Sequence, residues 1–179
     1  GEITLANRGV LFLDEIPEFD RKVLEVLRQP IENKEIVISR ANSQVRFPAN
    51  FQLVAAMNPC PCGYYGDKSG RCQCRPEQIK RYQEKLSGPL LDRIDLHITV
   101  PALPASDLQS AQKGESSAVV RERVIQAYQR QQARQGKANN ELSPSELDQF
   151  APLGDAEVRL LAMAQSRRNL SARGSPRVL

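Results

Sequence analysis

No stretch of this sequence holds the ~20 consecutive apolar residues a membrane-spanning helix needs, and no secretory leader opens it. A cytoplasmic protein without a membrane partner is the expectation. Aromatic residues make up only 5% of the chain, so base stacking, the usual grip on single-stranded nucleic acid, has few candidates. Histidine occurs once, at His97 among alternating apolar neighbours, and reads as an exposed or hydrogen-bonded residue rather than a metal ligand. The pattern G-x-x-x-x-G-K-[ST] is absent, so this sequence has no phosphate-cradling loop and no phosphate-binding lysine of that kind. Cysteine is missing everywhere except Cys60, Cys62, Cys72 and Cys74. A secreted disulfide scaffold would be smaller and would spread its cysteines to staple distant segments.

What is present is ordinary globular material: 179 residues, 40% hydrophobic and 26% charged, enough for one good core or two small domains. Net charge is +4, from 25 Lys+Arg against 21 Asp+Glu, which permits an anionic partner without demanding one. The abrupt start at Gly1 and the stop at Leu179 read as boundaries within a longer protein.

Residues Gly9 to Leu13 form a continuous apolar run of strand length, and Phe51 to Met57 a second, both predicted as buried strands of a parallel α/β sheet. Between them, Asp20 starts a helical stretch with Val23, Leu24, Leu27 and Ile31 on one face. Glu35–Arg40 and Gln44–Phe47 read as a hairpin around Ala41-Asn42-Ser43. Glu77 to Lys85 is helical, and Leu96 to Val100 alternates as a half-buried strand does. From Pro101 the texture turns linker-like, and strands give way to helices. Val120, Val124, Ala127 and Tyr128 share a face of the first. Ser143-Pro144-Ser145-Glu146 announces the second with a capping box and proline at its first position. Val158, Leu161 and Met163 face inward on a third after Asp155, and a fourth starts at Ser175-Pro176. The expected organisation is an α/β part over residues 1–104 and a small all-α part over 105–179.

Four places carry chemistry. Asp14 and Glu15 end a buried strand, where α/β sheets present their ligand crevice. Phosphoryl transfer needs one carboxylate to hold Mg²⁺ and another to polarise the attacking water, which fits Asp14 and Glu15 in turn; the plain alternative is a strand end turning through Pro17. Asn58 at the tip of the second strand can orient the same water, or simply occupy a turn before Pro59. Arg93, between Asp92 and Asp95, is a local ion-pair residue or a cation for transition-state charge on a neighbouring subunit. Arg173, at a helix start, is a surface charge or a nucleotide contact. The cysteines form two close pairs around a glycine-rich loop that can fold back into a four-thiolate tetrahedron, although one residue between paired ligands is tighter than usual for zinc. Structural zinc leads free thiols and disulfides. Arg40 and Arg46 flank the hairpin tip, where basic side chains can track a phosphate backbone.

Together these resemble the Walker B, sensor 1, arginine finger and sensor 2 elements of an AAA+ ATPase. More narrowly, Gly1-Glu2-Ile3-Thr4-Leu5-Ala6 leading into Leu11-Phe12-Leu13-Asp14-Glu15 is similar to the bacterial magnesium-chelatase-like family of ComM/YifB type. The same holds for Ala55-Ala56-Met57-Asn58-Pro59-Cys60-Pro61-Cys62-Gly63, for Leu86-Ser87-Gly88-Pro89-Leu90-Leu91-Asp92-Arg93-Ile94-Asp95, and for Leu170-Ser171-Ala172-Arg173-Gly174. The resemblance covers essentially the whole chain. It implies a partial AAA+ P-loop sheet with a pre-sensor hairpin, followed by a helical lid. It also implies ATP and Mg²⁺ as cofactors, a hexameric ring of the full-length protein, and DNA as the partner remodelled. Asp14 and Glu15 then serve Mg²⁺ and water, Asn58 is sensor 1, Arg93 acts in trans and Arg173 senses nucleotide in cis. Two features depart from the family: the missing phosphate loop, which leaves this chain inactive alone, and Ser175-Pro176 after Arg173. Alternatives are a metal-chelatase motor subunit, a σ54-type activator ATPase, and a zinc-stabilised DNA-binding module with no ATPase role.

Overall fold

The computed structural model describes residues 1–40, 43–67, 70–101 and 114–168. The chain divides into two compact units, Gly1–Ala102 and Leu103–Leu179. The turn residues Ala41 and Asn42, the linker, Arg173 and the helix expected at Ser175 lie outside the described residues.

The first unit runs α1 (Glu2–Leu5), β1 (Val10–Leu13), a 3-10 turn (Ile16–Glu18), α2 (Arg21–Val26), α3 (Arg28–Asn33), β2 (Glu35–Arg40), β3 (Ser43–Pro48), β4 (Gln52–Ala55), α4 (Pro76–Gln83) and α5 (Gly88–Leu91). β1 and β4 pair in parallel, with Val10 opposite Gln52 and Leu13 opposite Ala55. A parallel pair needs a long crossover, and α2, α3 and the β2–β3 hairpin supply it. The ladder continues past the strand ends, where Ala56 N–H donates to Leu13 O (2.9 Å) and Ile16 N–H to Ala56 O (3.0 Å).

The core lies on one face of this pair. Ile16, Leu24, Leu27, Leu86 and Leu90 are buried together, with Leu11 and Leu13 of β1 against them; each fully buried leucine contributes roughly 1.5–3 kcal/mol. The expectation of a strand buried on both faces is corrected. Val10 and Phe12, which alternate to the other face, are each 59% exposed. Among the described residues the sheet has two strands, and no described element of the first unit covers that face.

The helical stretch after Asp20 is two helices rather than one. The Asp20 carboxylate caps the first, accepting from Lys22 N–H at 2.7 Å. Pro30 has no N–H to return to the Val26 carbonyl, and its ring crowds that position, so the helix breaks at Leu27. Leu24 and Leu27 are buried as expected, while Val23 faces solvent. The strand expected at 96–100 is not formed: Leu96, Ile98 and Val100 are 78%, 81% and 85% exposed. Alternation marks a strand only when a neighbour accepts its backbone bonds, and no described strand lies beside this segment.

The second unit holds α6 (Ser117–Gln135), a 3-10 turn (Asn139–Glu141), α7 (Pro144–Phe150) and α8 (Asp155–Arg168). Gly136 ends α6 in the left-handed conformation (φ 72°), which glycine adopts without steric cost. The capping box at α7 forms as the sequence predicts: Glu146 N–H donates to Ser143 Oγ (3.4 Å) and Ser143 N–H to Glu146 Oε2 (2.8 Å), with Pro144 opening the helix. Val124, Tyr128, Val158 and Met163, expected inward, are each half or more exposed. Helical periodicity identifies an apolar face but not what covers it.

Candidate functional site

The site grows from the two strand tips. In-register parallel pairing makes β1 and β4 leave the sheet at the same end, so Asp14-Glu15 and Asn58 emerge side by side. Asp14 Oδ1 accepts from Glu15 N–H at 2.9 Å. Glu15 has φ 48° and ψ 44°, a left-handed conformation that costs a non-glycine residue about 1–3 kcal/mol. The next residue enforces it: Ile16 is buried, and its N–H is bonded to the carbonyl of Ala56, just past β4. Glu15 and Asn58 line one cavity of about 530 Å³, with Arg81, Tyr82 and Lys85 of the α4 region across from them. Asp14 is exposed beside the cavity rather than in its lining.

The segment from α4 to Lys85 braces both tips, a role the sequence did not disclose. Lys85 Nζ donates to Glu18 at 3.1 Å, tying it to the turn after β1. Gln83 Nε2 donates to the Pro59 carbonyl at 3.1 Å, tying it to the segment after β4. Tyr82 is buried between these ties, and desolvation first, then the Glu18 charge, raises its pKa. A search for polar side chains at the ends of an amphipathic helix would have flagged Gln83 and Lys85, but their partners are set by tertiary placement.

Immediately after Asn58-Pro59 comes the cysteine loop. Its four sulfurs lie within 4.8 Å of one another, with Cys60–Cys62, Cys62–Cys72 and Cys60–Cys72 separations of 3.4, 3.7 and 3.8 Å. A disulfide requires about 2.05 Å, and all four thiols are free. Tetrahedral zinc with Zn–S bonds of about 2.3 Å places its sulfurs about 3.8 Å apart, so the set fits that ion. The thiols also perturb one another. The Tyr64 backbone N–H lowers the Cys62 pKa to about 6, whereas hydrogen bonding to Cys62 pushes Cys74 up to about 12. The Cys74 N–H pulls Cys72 down, but burial and the thiols of Cys62 and Cys60 outweigh it and its pKa rises. Several thiolates this close need a cation to coexist. Gly63 (φ 81°) makes the turn between the first pair and Tyr64, and Arg71 closes the loop by stacking 4.3 Å from the Tyr64 ring and bonding Asp67 at 2.9 Å.

The remaining candidates stand apart. Arg93 is 11% exposed in its side chain and is held by Glu32 and the Pro89 carbonyl. Arg46 bonds Glu35 at 3.0 Å across the hairpin. It pairs with Val37 while Arg40 pairs with Ser43, so positions 40 and 46 fall on opposite faces. The Arg40 side chain and the whole of Arg173 lie outside the described residues. His97 Nε2 meets the Ile94 carbonyl at 3.2 Å and is exposed, a local contact only.

Comparison with known proteins adds two family profiles. One, described as magnesium chelatase, subunit ChlI, matches residues 1–108; the other, the C-terminal part of the same subunit, matches residues 114–179. Competence protein ComM of Haemophilus influenzae is 51% identical over 180 residues, spanning 100% of this chain and 35% of its own length. YifB of Escherichia coli is 47% identical with the same coverage. The magnesium-chelatase 38 kDa subunit of Cereibacter sphaeroides is 34% identical over 59 residues, 33% of this chain and 18% of that protein. The chain thus spans about a third of the length of the relatives it matches end to end.

Proposed function

This chain belongs to the magnesium chelatase subunit ChlI family, in its ComM/YifB branch, and on that premise we propose that it is the water-activating and lid portion of an ATP-hydrolysing, AAA+ related motor acting on DNA. The observation that carries the reading is the parallel β1–β4 pairing, which sets Glu15 and Asn58 on one cavity. Bound Mg²⁺ would neutralise charge on the transferring phosphoryl group. Asp14 would hold that ion through water, Glu15 would polarise the attacking water, and Asn58 would orient it. Arg93 would act on nucleotide held by a neighbouring copy in a hexameric ring, and Arg173 would sense nucleotide in cis. The cysteine set would hold zinc as a structural clip, keeping the loop closed beside Asn58. DNA as substrate rests on the competence-protein relative and on the basic hairpin positions Arg40 and Arg46. Similarity to ComM over the whole of this chain, against a match of 59 residues to the chelatase subunit, favours the competence branch over a metal-inserting one.

The test uses the full-length protein that carries this sequence. Glu15→Gln and Asn58→Ala should each lower ATP turnover by about 10²-fold or more while nucleotide binding persists. This chain by itself, lacking a phosphate-cradling loop, should not turn over ATP. Robust turnover by a sequence-verified sample of it would sink the assignment.

A further inference from the structure

Arg93 is more tightly held than a freely reaching cation needs to be. Its Nε and Nη2 both donate to one oxygen, Glu32 Oε2, at 3.2 and 2.7 Å, and its Nη1 donates to the Pro89 carbonyl at 2.6 Å. Glu32 lies near the end of α3, 61 residues earlier in the chain, and Ile31 beside it packs against the core. A guanidinium has five N–H donors in a rigid fork. Glu32 takes the side edge and Pro89 takes one more donor. By that count two N–H groups remain, one on each Nη, on a side chain that is 11% exposed, and Nη donors of this kind suit the oxygens of a phosphate.

We propose that Glu32 is the positioning residue of Arg93: it grips the side edge of the guanidinium and so aims the remaining Nη donors at a phosphate group carried by a second copy of the protein. The proposal rests on Arg93 acting in trans. It adds that the aim is built in before the copies meet, through a carboxylate on a helix anchored in the core. Because both bonds converge on one oxygen, a neutral amide oxygen can replace the carboxylate without loss of geometry.

The experiment measures ATP turnover and KM of the full-length protein with Glu32→Ala, Glu32→Gln, Arg93→Ala and the Glu32→Ala/Arg93→Ala pair. Glu32→Ala should lower kcat by about tenfold at unchanged KM, the size of effect expected from misaiming a group that is still present. Glu32→Gln should recover to within about threefold of the parent, since position rather than charge is required. Arg93→Ala should lose about 10³-fold, and the double variant should be no slower if the effect of Glu32 on turnover is exerted through Arg93. Should Glu32→Ala fail to fold, Glu32→Asp withdraws the acceptor by one methylene and should lower kcat in the same direction. Unchanged or raised kcat in Glu32→Ala and Glu32→Asp, or a double variant slower by the full Glu32 factor, would overturn the inference. Unchanged kcat in Arg93→Ala would instead remove the trans role on which it rests.

Discussion

The segment from Asn58 to Arg93 and the helices from Ser117 to Arg168 are built from similar amounts of polar side chain, yet they are held differently. In the first, ties leap across the chain: Gln83 to Pro59, Lys85 to Glu18, Ser87 to Glu25 and Arg93 to Glu32, at sequence separations of 24, 67, 62 and 61. In the second, the ties seen are short-range: Arg123 to Glu115, Asn139 to Gln131 and Lys137 to Glu146, eight or nine residues apart. A short-range tie needs only a helix and its flanking turn in place. A long-range one forms only when the rest of the unit is already in place, because the intervening chain must first be closed at an entropic cost. Glu15, Asn58 and Arg93 all sit within or beside the long-range region, so their geometry depends on cooperative assembly rather than on local propensity.

The strongest way to break this contrast is to remove what closes the cysteine loop. Elemental analysis of purified protein should find about one zinc per chain, and a strong chelator should then abolish hydrogen-exchange protection over residues 58–83. Structural zinc sites contribute apparent binding free energies of about 10 kcal/mol or more, and α4 begins only two residues after Cys74. Peptides covering 117–168 should be unaffected. Cys72→Ser should reproduce the pattern. Absence of metal together with chelator-insensitive exchange would show that the thiols and the Arg71–Tyr64 closure hold the loop unaided.

Next in size is Leu90→Ala. Leu90 is 1% exposed in the cluster that joins α5 to α2 and β1, and truncating a leucine so placed costs about 2–5 kcal/mol. Denaturant unfolding should show that loss in the first unit, with the helical unit retaining its midpoint. Ser143→Ala is the converse, a local break: it deletes the N-cap of α7, worth about 1 kcal/mol, and should leave Asn58–Arg93 untouched by the same exchange assay. Equal responses of both regions to either change would erase the contrast.

The same contrast explains what was legible in the sequence. Asp14, Glu15 and Asn58 could be placed because a strand run and its terminating residue are adjacent in the chain. The four cysteines declared themselves by spacing, and their convergence within 4.8 Å followed. The α7 capping box was legible because all its parts lie within four residues. The Glu32 partner of Arg93, the Lys85–Glu18 tie and Gln83 on Pro59 were not, since no local pattern encodes a partner two dozen or more residues away. The strand expected at 96–100 failed for a related reason: alternation was read correctly, but a strand is a relation between two segments. Exposed Phe12 and Val10 teach the same point, because an apolar run states what a strand prefers to face and not what faces it.

The smallest expected effect is a pH response confined to α7. The Lys137 ammonium, bonded at 2.5 Å, and then the Ser143 backbone and hydroxyl hold the Glu146 carboxyl at about 2, well below its ordinary 4.5. A carboxyl lowered on folding stabilises the fold fully above the unfolded value and ceases to do so as pH falls through the folded one. Protection of the α7 amides should therefore weaken progressively between about pH 4.5 and about 2, and Glu146→Gln should remove most of that dependence. Because the pair is solvated, added salt should reduce the Lys137 share while leaving the Ser143 hydrogen bonds in place. An α7 whose exchange, corrected for intrinsic rates, stays flat down to pH 2 would mean that the Lys137–Glu146 contact is not maintained in solution. The short-range ties would then stabilise the helical unit less than its caps do.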